Sequence, residues 1–291
     1  MPQNNDTTSE RALILHPSEI PIFLTVVSLQ IVVGSLANIA VITIFFVRRE
    51  LLSWPSDLLV LNLSCADLLC SVSILPWMLN ILIQKKFDSA SFFYFASLNF
   101  FMTSCCVNAV IAVTFDRFIA VTYNLRYRVI MTKRKTYNII IFSWLWASAC
   151  SIGSFISYNL EHYNNRYRIF FWSQHILGLV LVLSMYVAIF KVAWTQAHNI
   201  SAQMKSVHGF FKRARCRLIV KTIWNSFSIV FVCYASFLPF LIYDIVDSTA
   251  DIGITRDEVN TMLFRLFSFN FISSCINPFI YVFRRQRYRQ S

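Results

Sequence analysis

Seven stretches of mostly apolar residues, 20–47, 58–83, 92–121, 137–158, 170–194, 218–245 and 262–283, take up most of this sequence. A hydrocarbon core of ~30 Å is crossed by a helix of about 20 residues, and inside it every backbone N–H and C=O must be paired within the protein. Each run reaches that length, so the expected fold is all-α: a seven-transmembrane helix bundle. Hydrophobic residues fill 57% of the 291 positions and charged ones 14%, against about 25% charged in an ordinary soluble domain. A water-soluble fold could not cover so much apolar side chain. No Gly/Ser/Pro-rich or charged linker divides the chain. The expected organisation is a short extracellular N-terminus over residues 1–19, a membrane domain over 20–283, and a short basic cytoplasmic tail, an amphipathic segment, over 284–291.

The net charge of +12 lies in short segments between the runs. One set holds Arg48 and Arg49, Arg126 to Lys135, Lys205 to Arg217, and Arg284 to Arg289; the other holds Glu161, Asp247, Asp251, Asp257 and Glu258. Lys and Arg are retained on the cytoplasmic side during insertion, so the N-terminus is expected outside and the C-terminus inside. Basic residues placed this way set orientation and form no face for nucleic acid, which is excluded as a partner. Asn5-Asp6-Thr7 then becomes an outer glycosylation acceptor at Asn5. Residues 1–17 are polar without a charged-then-apolar leader, so the first run is expected to act as its own insertion signal. None of the eight cysteines falls in an expected outer loop, and buried free thiols are the plain reading for most of them.

Polar residues at membrane depth are functional candidates by default. Asp67 sits mid-way along the second run, and Asn38 in the first and Asn277 in the seventh could close a small hydrated site around it, of a size for a monovalent cation. A protonated, hydrogen-bonded packing role is the alternative for Asp67. Asp116-Arg117-Phe118 closes the third run on the cytoplasmic side, where adjacent opposite charges can pair and then separate when a partner arrives; an interfacial snorkelling arginine is the alternative there. Pro239 in the sixth run and Asn277-Pro278-Phe279-Ile280-Tyr281 in the seventh place a missing backbone donor inside a helix, so each can bend.

The five histidines are scattered and no H-E-x-x-H spacing occurs, so no enzyme is expected. A channel or transporter could use Asp67, Asn38 and Asn277 to line a polar path, yet rings of charge and internal repeats are missing.

Together these residues resemble the rhodopsin-like (class A) family of G-protein-coupled receptors. The motifs stand in the family's order: Gly34 to Asn38, Leu63 to Asp67, Asp116 to Phe118, Trp144, Tyr186, Pro239, and Asn277 to Tyr281. The resemblance implies a plasma-membrane receptor in which outer ligand binding shifts the last three helices and opens a cytoplasmic cleft for a heterotrimeric G protein. It assigns the activation switch to Asp116, Arg117, Phe118, Tyr186, Phe237, Pro239, Asn277, Pro278 and Tyr281. Arg117 would exchange Asp116 for Tyr186, Tyr281 and the partner. The basic residues of 126–135 and 205–221 would border the cleft or lie as solvated charge. A sodium ion as allosteric modulator would use Asp67, Asn38, Cys106, Ser273 and Asn277. No other cofactor is implied, membrane lipids surround the bundle, and a receptor dimer stays open.

The chain also departs from the family. Phe92 stands where a disulfide cysteine usually sits, Phe118 replaces a tyrosine, Phe237 replaces a tryptophan, Gly178 replaces a proline, and Cys106 replaces a serine. Loss of the disulfide cysteine resembles melanocortin, lysophospholipid and cannabinoid receptors, and 185–190 resembles melanocortin and adenosine receptors. Asn99 stands where amine receptors keep an aspartate, and Phe271 where opsins keep a lysine, which argues against amine and retinal ligands. The ligand pocket would be lined by Asn99, Thr103, Phe237, Phe240, Leu241, Phe267 and Asn270, suited to a lipid, a small neutral molecule or a peptide's apolar anchor. These aromatic residues could instead simply fill the bundle. A receptor-shaped partner or scaffold that does not itself signal is the second reading.

Overall fold

The computed structural model describes residues 11–87, 89–159, 165–203, 209–249, 253 and 255–284. Asn5 and the tail beyond Arg284 lie outside them, as do the side chains of Phe92 and Tyr281 and those of residues 197–226. The chain is helical almost throughout: α1 (Glu19–Val47), α2 (Pro55–Gln84), α3 (Ser89–Thr122), the short α4 (Tyr127–Ile130), α5 (Lys133–Asn159), α6 (Asn165–Gln203), α7 (Gly209–Thr249), α8 (Arg256–Asn270) and α9 (Ile272–Arg284). The seven spans are α1, α2, α3, α5, α6, α7 and the pair α8–α9.

Among the described residues, six segments are long and apolar enough to cross a membrane. The other, α5, is long enough at 27 residues, and its serines lower its apolar average. Those serines do not offend lipid, because Ser143 and Ser148 donate back to Ile140 O and Trp144 O of their own helix and Ser151 donates to Ser97 O of α3. The surface carries the same message. Leu36, Val72, Phe115, Leu145, Leu183, Phe231 and Phe269, one from each span, are exposed, a continuous apolar exterior that water would not tolerate and lipid does. The chain is a multi-pass membrane protein.

Close packing follows from small residues. A Cβ at Gly34 would overlap Ser71 Oγ and come within 3.3 Å of Cys275 Sγ, so α1 can lie against α2 and α9 only with glycine there. At Gly178 a Cβ would meet Ile111 Cδ1 at 3.1 Å and Tyr234 Oη at 3.4 Å. The missing proline of the fifth span thus leaves an unbroken α6 packed tightly on α3 and α7. Trp144 Nε1 donates to Asn62 Oδ1 at 2.7 Å and ties α5 to α2.

The seventh span breaks at Phe271, not at Pro278. Around the break the Ser268 and Ser273 hydroxyls bond back to Phe264 O and Asn270 O, and such bonds compete with the helical ladder. Pro278 still removes a donor, since it has no N–H to offer the carbonyl of Ser274 one turn earlier. Asn38 of α1 fills that place, its Nδ2 donating to Ser274 O at 3.0 Å and to Gly34 O at 2.9 Å. Asn38→Ala should therefore strand a buried carbonyl at a cost of about 1–3 kcal/mol. A lowered thermal midpoint of the purified protein is the expected result, and an unchanged midpoint would refute this role.

The outer end is closed by the chain's own start. Arg11–Ala12 pairs antiparallel with Lys86–Phe87 after α2, and Leu13 N donates to Lys85 O at 3.0 Å. Ile14 N donates to Thr261 Oγ1 at 2.9 Å, Leu13 is buried in the outer core, and Glu19 pairs with Arg265 at 2.8 Å. Thr255 and Glu258 form a reciprocal cap at the start of α8.

Candidate functional site

The candidate site has three tiers along the bundle axis. At the cytoplasmic tier, Asp116 is buried and its Oδ2 lies 3.3 Å from the Arg117 guanidinium, which is itself 19% exposed. The pair sits at the end of α3, where lipid gives way to solvent. Tyr127 of α4 donates its hydroxyl to Asp116 Oδ1 at 2.6 Å, a residue that the sequence hid between Arg126 and Arg128. Arg128 itself lies 5.1 Å from the centre of the Trp54 ring, so it is held on the surface by a cation–π contact. Tyr186 of α6 is buried near Arg117, its ring edge-on to Phe227 at 5.6 Å and its hydroxyl beside Thr114 of α3. Phe118 packs into the inner core beside Ile119 and Met131. Tyr127→Phe would leave Asp116 Oδ1 without its donor, at about 1–3 kcal/mol for a buried carboxylate. A fall in the thermal midpoint checks this, and no fall would remove Tyr127 from the site.

In the middle tier Asp67 is fully buried on α2. Its Oδ2 accepts from Asn277 Nδ2 at 3.0 Å and its Oδ1 from Cys106 Sγ at 3.7 Å. Ser274 stands beside the same carboxylate. Ser273 instead turns its hydroxyl to Asn270 O, and Asn38 donates to backbone rather than to Asp67. A cavity with about 10 Å³ of room opens here, lined by Thr103, Cys106, Cys233, Phe237, Asn270, Ser273 and Ser274 among others. That is space for about one water. Asn277 Oδ1 and Asn38 Oδ1 are buried acceptors with no donor, which is what a small cation would satisfy. The Cys106 sulfur is a poor ligand for a hard cation. The Asp67 carboxylate oxygens are hard ligands at this tier, and Asn277 turns its Nδ2 toward them.

The outer tier is aromatic. Phe237 is stacked on His175 at 4.8 Å, Phe240 lies on Phe267 at 4.6 Å, and Phe95 and Phe171 close the cluster edge-on. Asn99, Thr103, Leu241 and Asn270 are buried with them, Asn270 Nδ2 reaching Thr103 Oγ1 at 3.5 Å. Asn99 Oδ1 and His175 Nε2 are buried without partners. His175 Nδ1 lies 2.8 Å from Phe171 O, an acceptor, so the proton sits on Nδ1 and Nε2 presents a lone pair. Nothing in the sequence singles out His175; only the fold brings it to Phe237. Trp172 Nε1 donates to Asp244 Oδ2 at 2.6 Å and links α6 to α7 above the cluster.

The model of the 7 transmembrane receptor (rhodopsin family) matches residues 37–281. Melanocortin receptor 5 of Homo sapiens is 28% identical, over 89% of this chain and 79% of its own length. Adenosine receptor A2b of Gallus gallus is 23% identical, over 91% of this chain and 85% of its own. The alpha-1A adrenergic receptor of Oryzias latipes is 24% identical over 91% of this chain, which spans 64% of that relative's length. With the family's model running from Asn38's neighbour Ala37 to Tyr281, across all seven spans and the three tiers just described, the chain belongs to the rhodopsin family of seven-transmembrane receptors, a family of signalling receptors and not of enzymes.

Proposed function

We propose that the chain is a plasma-membrane receptor that turns the binding of an extracellular ligand into activation of a heterotrimeric G protein. The observation that carries this reading is the cytoplasmic tier. A charge pair, Asp116 and Arg117, sits within reach of solvent, and the buried Tyr186 hydroxyl lies beside it, next to Thr114. Releasing Arg117 from Asp116 gives Tyr186 a donor and leaves the carboxylate with Tyr127, so an alternative set of bonds already exists for a second state. Ligand binding need only favour that state by the few kcal/mol separating two such sets.

The outer tier supports a reading of the ligand class. Relatives named for melanocortin, adenosine and adrenergic ligands span peptide, nucleoside and amine chemistry. Here Asn99 offers an amide oxygen and no charge, so an ammonium group finds no counter-ion at that position. A neutral molecule, a lipid or a peptide's apolar anchor suits the Phe237, Phe240 and Phe267 cluster, and any of them must displace those rings to enter. A sodium ion would be held by Asp67 and Asn277, where it would supply a counter-charge to the carboxylate.

The test is G-protein dissociation in living cells across several G-protein subtypes and a ligand library, with surface delivery confirmed. Dissociation above that in cells lacking the receptor supports the proposal and names the partner. Silence across all subtypes and ligands, despite surface delivery, overturns it in favour of a receptor-shaped partner protein, which the departures at Phe118 and Phe237 would then explain.

A further inference from the structure

The middle tier contains a pair of sulfurs in contact. Cys70 of α2 is fully buried, and its Sγ lies 3.7 Å from the Sγ of Cys106 of α3. A disulfide bond is about 2.05 Å long, so the sulfurs need to approach by less than the width of one atom. The helices that carry them are the second and third spans, packed along each other's length. Cys106 also lines the small internal cavity, whose wall includes Thr103, Ser273 and Ser274. A polar molecule close to the size of water can sit there against the sulfur. These are two independent observations: a sulfur pair in contact, and a polar chamber opening on one of its members.

We propose that Cys70 and Cys106 form an oxidation site at which hydrogen peroxide closes a disulfide between the second and third spans. The Cys106 sulfur attacks one peroxide oxygen, the O–O bond breaks, and the hydroxide released takes the thiol proton and leaves as water. Cys106 is then a sulfenic acid. The Cys70 sulfur attacks the Cys106 sulfur, the S–O bond breaks, and the second hydroxide leaves as water with the Cys70 proton. Two thiols are oxidised, one peroxide is reduced, and two waters form. Buried thiols react slowly in the first step. The second joins sulfurs already in contact, so the disulfide and not the sulfenic acid is the product. Closure draws the Cys106 sulfur toward Cys70 and removes the proton it donates to Asp67 Oδ1. The carboxylate tied to Asn277 of the seventh span thereby loses one of its donors.

The experiment treats the full-length receptor, reconstituted in lipid nanodiscs, with hydrogen peroxide, blocks the remaining thiols and maps the peptides by mass spectrometry. The expected result is a linked Cys70–Cys106 peptide pair, lighter by two hydrogens and separated again by a reductant. It should be absent from Cys70→Ala and Cys106→Ala and retained in Cys105→Ala and Cys233→Ala. Recovery of Cys70 and Cys106 as blocked thiols, or as sulfinic acids without the linked pair, overturns the proposal, as does a link through Cys105. The wild-type map decides even where a variant fails to fold. The covalent readout does not depend on the proposed coupling to a G protein, so the two readings fail separately.

Discussion

Arg117→Ala should reduce ligand-driven G-protein dissociation by about tenfold or more at matched surface expression, since a hydrogen bond to a charged group contributes about 1.5–3 kcal/mol. The guanidinium pairs with Asp116 in the resting arrangement and lies near the Tyr186 hydroxyl, which it is placed to bond in another. Alanine removes it from both. Asp116→Asn should act in the opposite direction. The asparagine oxygen still accepts from the Tyr127 hydroxyl, which holds 2.6 Å from Asp116 Oδ1 in the native protein, while the charge that retains Arg117 is gone. Ligand-independent dissociation should therefore rise. Were both variants to match the wild type, the cytoplasmic tier would have no part in coupling.

Gly34→Val should damage the fold through overpacking between α1, α2 and α9. The added Cβ collides with Ser71 Oγ, and Ser71 cannot simply turn aside, because its hydroxyl donates to Asp67 O at 2.9 Å. The Cys275 sulfur, which donates to Gln30 O at 3.4 Å, is pressed at the same time. Overpacking of this kind costs about 1–3 kcal/mol, enough to change the steady-state abundance of a marginally stable protein several-fold. Surface expression and the thermal midpoint should both fall. Gly34→Ala combined with Ser71→Gly should recover part of the loss, because the space is returned on the facing helix. Wild-type stability of Gly34→Val would show that α1 and α2 can separate freely at this level.

The seven spans were legible because lipid imposes one requirement, twenty apolar residues with a self-paired backbone, on each of them. Orientation was legible for a similar reason: charge in short loops has a single dominant cause. Asp67, Asn277, Asp116 and Arg117 could be picked out because charge and amide at membrane depth demand partners. Which partners they take was not legible. Asn38 carries an amide in the right span, yet it serves the carbonyl released by Pro278, a role visible only once α1 and α9 lie side by side. Ser273 and Ser274 are adjacent and chemically alike, and the break at Phe271 decides which of the two faces Asp67. His175 looked like any histidine in an apolar helix until α7 brought Phe237 against it. The Arg11–Ala12 pairing with Lys86–Phe87 joins segments more than seventy residues apart by backbone alone, and backbone pairing leaves no mark in the side chains.

The bond from Asn38 to Ser274 O makes the first span a participant in any motion of the seventh. A proline hinge in an isolated helix swings without asking anything of its neighbours, because the carbonyl it frees has no partner to lose. Here that carbonyl is held from outside, and the holder is anchored in turn to Gly34 O of its own helix. The inner half of the seventh span can swing away from the bundle only by parting from α1 at that point or by drawing α1 along with it. The hinge therefore has a latch, located on the helix farthest along the chain from the proline that created the need for one.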